Sequence, residues 1–301
     1  MVFLSLLDVY FSPPSPPLFG RYGGKDEKVV VMGVPFDSAA TRTPGQRFAP
    51  RKIREVSVEL ETFSPELGVY VEELGYSDAG DLPILTDFQV MDEVVSKVVR
   101  ELIEADRSTI VLGGDHLVSF PVIREYALHF EKLLVVVFDA HLDLRDEYPL
   151  RTRFSHATVM RRLLESTENI SIAYFSPRAF SKEEYEYARK SKRVYLVKTA
   201  SELEKLLGSF NNVYVSLDID SIDPAFAPGT GTPEPIGLTP QTVASVLKII
   251  AERSRRVVGL DLVEVNPLVD CNDITSLTAA KLIMEFLFSF AATRSLRALT
   301  G

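Results

Sequence analysis

Short apolar runs alternate along this chain with stretches in which apolar residues recur every three or four positions. The runs fall at 28–33 (KVVVMG), 108–112, 133–138, 169–175, 193–197, 212–217 and 256–265. Each is short, bounded by turn residues or charges, and rich in valine, isoleucine and leucine. That pattern describes strands buried on both faces, as a parallel sheet requires. Helical spacing occupies the intervals between them. It is clearest at 87–105, where Val90, Val94, Val98 and Leu102 share one face behind Asp87, a good N-cap. Pro50 suits the first turn of a helix running to about Glu61, and further helices are expected before residue 133 and at about 181–190, 200–208, 239–252 and 276–291. Between these two kinds of segment lies a less regular region in which 70–75 (YVEELG) is an expected edge strand.

Strands alternating with helices predict an α/β fold: a single-domain, three-layer architecture with a mostly parallel sheet and helices on both faces. Ligand sites in such folds sit at the carboxyl ends of the strands. Residues 11–24 (FSPPSPPLFGRYGG) cannot sustain a helix or a central strand. Residues 1–27 are therefore expected to form an extended N-terminal arm lying on the body or on a neighbouring subunit, with 28–301 as one main domain. No repeat, low-complexity tract or linker divides it.

Composition narrows the function classes. Hydrophobic residues make up 46% and charged residues 25% of the 301, an ordinary balance for a soluble protein. The formal charge of −9 argues against non-specific nucleic-acid binding and is compatible with a cationic ligand. One cysteine, Cys271, excludes an intramolecular disulfide framework and fits a reducing cytoplasm. The N-terminus lacks the basic region of a signal peptide, and no apolar run is expected to approach the ~20 residues of a membrane span.

Chemistry concentrates at strand ends. Val135-Val-Val-Phe-Asp139-Ala-His141-Leu-Asp143 carries an apolar run straight into two aspartates and a histidine spaced two apart. If the backbone stayed extended, those three side chains would share a face. Burying them together is costly unless something positive binds; the alternative is a capped strand end with solvated acids. Two further strand ends carry Asp115-His116 and Asp218-Ile-Asp220-Ser-Ile-Asp223. Oxygen donors with a minority of imidazoles suit manganese or a similar first-row ion. Six candidates (His116, Asp139, His141, Asp143, Asp218, Asp220) are many for one ion and about right for two that share carboxylates. An EF-hand fails at Asp218, because Asp223 stands where glycine is needed and Gly229 where glutamate is needed. Asp223 before Pro224 reads instead as a loop residue bonding backbone amides. Gly113-Gly114 lacks the lysine of a phosphate loop and reads as close backbone approach. His129 reads as a structural residue near a helix end. His156 opens a helical pattern just past the second ligand stretch, where exposed and catalytic roles are both open. Glu264, ending an apolar run, is either held by backbone amides or aimed at a cationic substrate.

With these residues in view, the chain resembles the ureohydrolases, the arginase and agmatinase family of dimanganese enzymes, most closely agmatinases. The resemblance runs from about Gly33 to Leu287. It rests on Gly33-Val-Pro-Phe-Asp, Arg42-Thr-Pro-Gly and Pro50-Arg-Lys-Ile-Arg; on Gly113-Gly-Asp-His116, Asp139-Ala-His-Leu-Asp143 and Ser216-Leu-Asp-Ile-Asp-Ser-Ile-Asp-Pro224; and on Ala227-Pro-Gly-Thr-Gly-Thr-Pro233 and Glu264-Val-Asn-Pro267. It implies two Mn2+ per subunit, one held by His116, Asp139, Asp143 and Asp218, the other by Asp139, His141, Asp218 and Asp220. It implies hydrolysis of a guanidinium to urea and an amine by a hydroxide bridging the two ions. In that chemistry Glu264 binds the guanidinium, Asp143 passes a proton to the leaving amine, His156 shuttles protons, and Thr232 lies near the substrate. A homo-oligomer, trimer or hexamer, is also implied, with a catalytic domain at 28–301.

Agmatine is the expected substrate; arginase, guanidinobutyrase or another guanidino-acid hydrolase are the rivals, and a non-catalytic metal-binding homologue is a further alternative. Arginases carry an asparagine two residues after the last aspartate of the second metal motif, and here Arg145 stands there. Agmatine's ammonium then requires Arg145 to point away, pairing with Asp146 or Glu147. Ala157 and Phe175-Ser-Pro-Arg178 also depart from the family pattern, and residues 147–154 form a short loop where the far end of the substrate would lie.

Overall fold

A computed structural model describes the backbone of residues 5–300 and the side chains of residues 5–293. Eight parallel strands form one sheet: β1 (Val29–Gly33), β4 (Tyr76–Asp81), β5 (Ser108–Leu112), β6 (Leu133–Phe138), β7 (Ile170–Phe175), β8 (Val194–Val197), β9 (Asn212–Asp218) and β10 (Arg256–Val263). A small antiparallel pair, β2 (Phe63–Ser64) and β3 (Val69–Tyr70), lies outside it. The spatial order is β4-β1-β5-β10-β9-β6-β7-β8.

The helices α1 (Leu6–Tyr10), α2 (Ala49–Ser57), α3 (Phe88–Glu104), α4 (Ser119–His129), α5 (Val159–Ser166), α6 (Lys182–Lys190), α7 (Ala200–Leu207), α8 (Pro240–Arg253) and α9 (Ile274–Thr300) cover both faces. Along β6, Leu134, Val136 and Phe138 enter the core shared with α2, α7, α8 and α9, whereas Leu133, Val135 and Val137 enter the core shared with α3, α4 and α5. Both faces are buried, so the strand reads as an unbroken apolar run. The expected caps are present: the Asp87 carboxylate accepts from the amides of Gln89 and Val90, and Pro50 sits in the first turn of α2.

Three expectations change. The edge strand is β4, after the 70–75 segment, which instead holds the end of β3 and a 3-10 turn at Val71–Glu73. Second, α9 contains a stretch, Ile274–Thr293, long and apolar enough to cross a membrane, although no such run was expected. It packs against α2 and α8 and buries Ala279, Ile283, Met284, Phe286 and Leu287, as a core helix does. Third, the segment expected as an extended arm contains α1 and a 3-10 turn at Leu18–Gly20, with Leu18 and Phe19 buried in the main core. Residues 1–4 of that segment, and Gly301 at the far end, lie outside the described residues.

The arm is held by β4. Ser12 and Asp81 exchange backbone hydrogen bonds of 2.9 and 3.1 Å. Gly80 has φ +87°, and a Cβ there would sit 1.8 Å from the Ser12 carbonyl oxygen, so only glycine allows this approach. Beneath it, fully buried Arg54 of α2 donates two hydrogen bonds of 2.8 Å to the Asp78 carboxylate and also pairs with Asp81, while the Leu18 amide donates to Asp78 at 2.8 Å. Arg54→Met leaves the Asp78 carboxylate buried without its cation. That should destabilise the fold by about 3–5 kcal/mol. Denaturant unfolding should show a lower midpoint with unchanged slope.

Candidate active site

β5, β10, β9 and β6 are consecutive neighbours in the middle of the sheet, so their carboxyl ends open at one place. Leu262 pairs with Leu112, Val263 with Asp218, and Leu217 with Phe138. Asp139, Asp218 and Glu264 therefore stand at nearly one level. Beyond β5, a Cβ on Gly114 would lie 1.7 Å from the Phe36 carbonyl oxygen and one on Gly113 2.6 Å from Val263. Close backbone approach is thus what this glycine pair provides.

The strand β6 ends at Phe138, and alternation does not carry as far as Asp143. Asp143 reaches the site through a left-handed turn, with φ +50°; Glu264 is likewise left-handed, at φ +65°. Such backbone strain persists where the surroundings over-determine it, and it gathers at functional sites. The Glu264 turn is held by its amide, which donates to the Gly114 carbonyl at 2.8 Å.

All six expected ligand residues converge. His116 Nδ1 lies 3.1 Å from Asp139 Oδ2, 3.0 Å from Asp143 Oδ2 and 3.3 Å from Asp218 Oδ2. His141 Nδ1 lies 3.0 Å from Asp220 Oδ2 and 3.4 Å from Asp139 Oδ1. Two three-residue groups, His116/Asp139/Asp218 and Asp139/His141/Asp220, each place their ligand atoms within 4.8 Å of one another, sharing Asp139. His116 Nδ1 and Asp139 Oδ2 are both buried with no hydrogen-bond partner. Orphaned donors of this kind, aimed at one another from either side of a carboxylate cluster, fit a divalent cation.

The electrostatics point the same way. Burial and neighbouring carboxylates push Asp218 well up, and burial with the Asp139 charge pushes Asp143 up to about 7. Burial works against charging His116, yet the carboxylates of Asp139, Asp143 and Asp218 around Nδ1 outweigh it and raise the imidazole well above its ordinary range. Protons are thus recruited where four carboxylates need positive charge, the service a metal would perform.

Behind the cluster, His116 Nε2 lies 3.1 Å from Ser216 Oγ, whose hydroxyl donates to Asp261 Oδ1 at 2.7 Å. That relay leaves Nε2 as the donor and turns the Nδ1 lone pair toward the site. Glu264 accepts the His116 amide at Oε1, 2.8 Å, and the Gln46 side-chain amide at Oε2, 3.0 Å. Burial, then the Asp115 charge, push it up to about 8. His156 Nε2 is 2.8 Å from Thr41 Oγ1, and its Nδ1 is 3.8 Å from Glu264 Oε1. Burial, with the charges of His116 and His141, lowers His156 to about 4. Thr232 donates to Asp220 Oδ2 at 3.1 Å.

A cavity of about 350 Å³ opens over these groups. Its lining includes His141, Asp143, Asp218, His156 and Thr232, while Glu264 lies behind it. The lining also includes Arg145 and, from the 147–154 loop, Tyr148, both in the region where the sequence places the far end of the substrate, together with Thr41, Glu184 and Glu234, which the sequence does not mark. Arg145 does not pair with Asp146 or Glu147 as expected. Its Nε lies 3.6 Å from Glu184 Oε2 and its guanidinium lies over the Tyr148 ring, 4.6 Å from the centroid. Asp146 is taken by Arg162, at 2.7 Å. Arg178, in the departing 175–178 turn, donates to the carbonyls of Asp220, Ser221, Glu234 and Pro235 and so fixes the loop carrying Thr232 and Glu234. The Asp223 carboxylate accepts from the Ala225 and Gly237 amides, in the loop role expected of it.

Comparison with known proteins agrees with this arrangement. A model of the arginase family matches residues 27–289. The agmatinase of Bacillus cereus is 38% identical over 273 residues, covering 88% of this chain and 93% of that protein. The agmatinase of Pyrococcus horikoshii is 34% identical, covering 86% and 90% respectively. The crystal structure of the agmatine ureohydrolase of Thermoplasma volcanium superposes with a TM-score of 0.82 at 29% identity, covering 97% of this chain and 98% of that one.

Proposed function

The chain belongs to the arginase family, and from that premise we propose that it is an agmatinase-type ureohydrolase, converting agmatine and water to putrescine and urea. One observation carries the reading: four carboxylates and two imidazoles, with orphaned ligand atoms, gathered at the base of one cavity. Two Mn2+ per subunit are the cofactor this donor set suits. His116, Asp139, Asp143 and Asp218 would hold one, and Asp139, His141, Asp218 and Asp220 the other. When bound, the metal pair supplies Lewis acidity that brings the pKa of water toward neutrality.

The residues of the chain do the rest. Glu264 accepts the planar guanidinium through charge-assisted hydrogen bonds, its carboxylate kept in place by the His116 amide and Gln46. A cationic substrate draws this raised carboxyl back to its charged form. Water oxygen bonds to the guanidino carbon while the bond to the alkyl nitrogen breaks. Asp143, which lies 3.0 Å from His116 Nδ1 in the carboxylate cluster, carries the proton of that water to the departing nitrogen. His156, at the cavity wall, exchanges protons with solvent between turnovers. Thr232 braces Asp220 beside the substrate. A cytoplasmic homo-oligomer, trimer or hexamer, with residues 1–27 as its arm and 28–301 as its catalytic domain, completes the reading.

Agmatine should be preferred to arginine. Both present the same guanidinium to Glu264, so discrimination falls to the far end. There the cavity offers the carboxylate of Glu234, suited to an ammonium, and an arginine already engaged by Glu184. A carboxylate placed there without a free partner should lower kcat/KM by ~100-fold or more. Urea release from the manganese-loaded protein, measured with both compounds, decides it; equal values would refute the agmatinase assignment.

A further inference from the structure

Arg145 is the only lysine or arginine lining the cavity among the described residues. A free guanidinium there would attract a guanidino acid by its carboxylate and repel agmatine by its ammonium. Yet the arginine is not free. Its partner Glu184 is almost fully buried, 4% exposed at the side chain against 39% for Arg145. Glu184 is itself fixed from three sides. Oε2 accepts from the amide and hydroxyl of Ser181, both at 2.8 Å, and Oε1 accepts from the Leu144 amide at 3.3 Å. The carboxylate therefore cannot swing away, and it joins the first turn of α6 to the residue between Asp143 and Arg145. Tyr148 covers the other side of the guanidinium.

We infer that Glu184 is a positioning residue for substrate choice: it neutralises Arg145 and holds it against Tyr148, and thereby keeps carboxylate-ended guanidino compounds from using it. Glu184 need not touch the substrate. Its effect runs through Arg145, by denying one class of ligand its counter-charge. The inference rests on the agmatinase reading, but it concerns the ratio between two substrates of similar length, agmatine and 4-guanidinobutyrate.

The position permits a clean substitution. Glu184 is the third helical residue of a capping box with Ser181, and glutamine serves that role as glutamate does. Glu184→Gln should therefore keep the helix cap while removing the charge and the acceptor that faces the Leu144 amide at 3.3 Å. Kinetics of urea release from manganese-loaded protein should show the agmatine to 4-guanidinobutyrate ratio of kcat/KM falling by ~100-fold, about half of it in each substrate on a logarithmic scale. Arg145→Met should move the ratio the opposite way, by ~10-fold, because Glu184 then faces the cavity unpaired. In the double variant neither lone charge remains, so the ratio should return to within a few-fold of wild type instead of the ~10-fold fall that independent effects would leave; this separates action through Arg145 from damage to α6. An unchanged ratio in Glu184→Gln, or an equal fall with and without Arg145, overturns the inference. If Glu184→Gln does not fold, Arg145→Met alone decides, since a ratio that narrows or stays put overturns it as well. Failure of the wild type to hydrolyse agmatine would instead refute the agmatinase reading, a result read before any variant.

Discussion

Asp139→Ala should lose both metal ions and lower kcat by at least ~10⁴-fold, since a water of ordinary acidity must then do the work of an ionised one. The reason is geometric. Asp139 is assigned to both ions, as is Asp218, and it is the residue shared by the two three-residue groups, with Oδ2 3.1 Å from His116 Nδ1 and Oδ1 3.4 Å from His141 Nδ1. Asp220→Asn is the contrasting variant. Asp220 belongs to one group only, so its loss should weaken one ion much more than the other. Metal analysis after reconstitution should give close to two ions per chain for wild type, near one for Asp220→Asn at limiting manganese, and near none for Asp139→Ala. Chelation of the wild type should abolish turnover, and manganese should restore it. Removing metal should also lower the unfolding temperature, because an ion that binds only the folded chain stabilises it by mass action. Full activity after exhaustive chelation would sink the binuclear reading.

Why could those six ligands be found in the sequence at all? Each follows an apolar run by no more than a few residues, and a parallel sheet buried on both faces makes such runs conspicuous. Parallel strands also point their carboxyl ends to one edge, so three separate motifs imply one site before any coordinate is known. The order of the strands is not implied in that way. That β10 lies between β5 and β9, setting Glu264 beside His116, follows from crossovers that leave no local mark. β4 escaped for another reason. Its sequence, Tyr76-Ser-Asp-Ala-Gly-Asp81, is polar, and it is held as an edge strand by the Arg54 ion pairs and the Ser12 backbone instead of by apolar faces.

The supporting residues are dispersed further still. Gln46 reaches Glu264 across 218 positions and Thr41 reaches His156 across 115. Ser216 and Asp261 sit inside strands, where the only signal is a polar residue at a buried position, yet together they orient His116. A buried aspartate within an otherwise apolar strand is expensive, and that expense is the one clue a sequence could have offered. Arg145 shows the opposite limit. Its neighbours Asp146 and Glu147 were the natural partners by proximity, but the left-handed turn at Asp143 sends the arginine toward Glu184 on α6.

His156→Ala should keep its full metal content and lose ~10²–10⁴-fold in kcat, the usual range for a missing general acid or base. The structure puts His156 in the cavity wall, with no contact to any of the six ligand side chains among its hydrogen bonds and ion pairs. Its Nε2 meets the Thr41 hydroxyl at 2.8 Å and its Nδ1 faces Glu264 from 3.8 Å, so the ring is steadied on one side and free to exchange a proton on the other. Burial keeps it neutral at pH 7, the form able to accept a proton. Because the ring is partly exposed, at 12% of its side chain, a small diffusible base can enter the gap left by alanine. Added imidazole should accordingly restore part of the lost rate in a concentration-dependent manner, with KM for agmatine altered far less than kcat. Thr41→Val is the companion variant: it leaves the imidazole in place without its hydroxyl partner, and should cost ~10-fold or less. Loss of an ion from His156→Ala would instead make the imidazole a metal ligand and overturn its role as proton carrier.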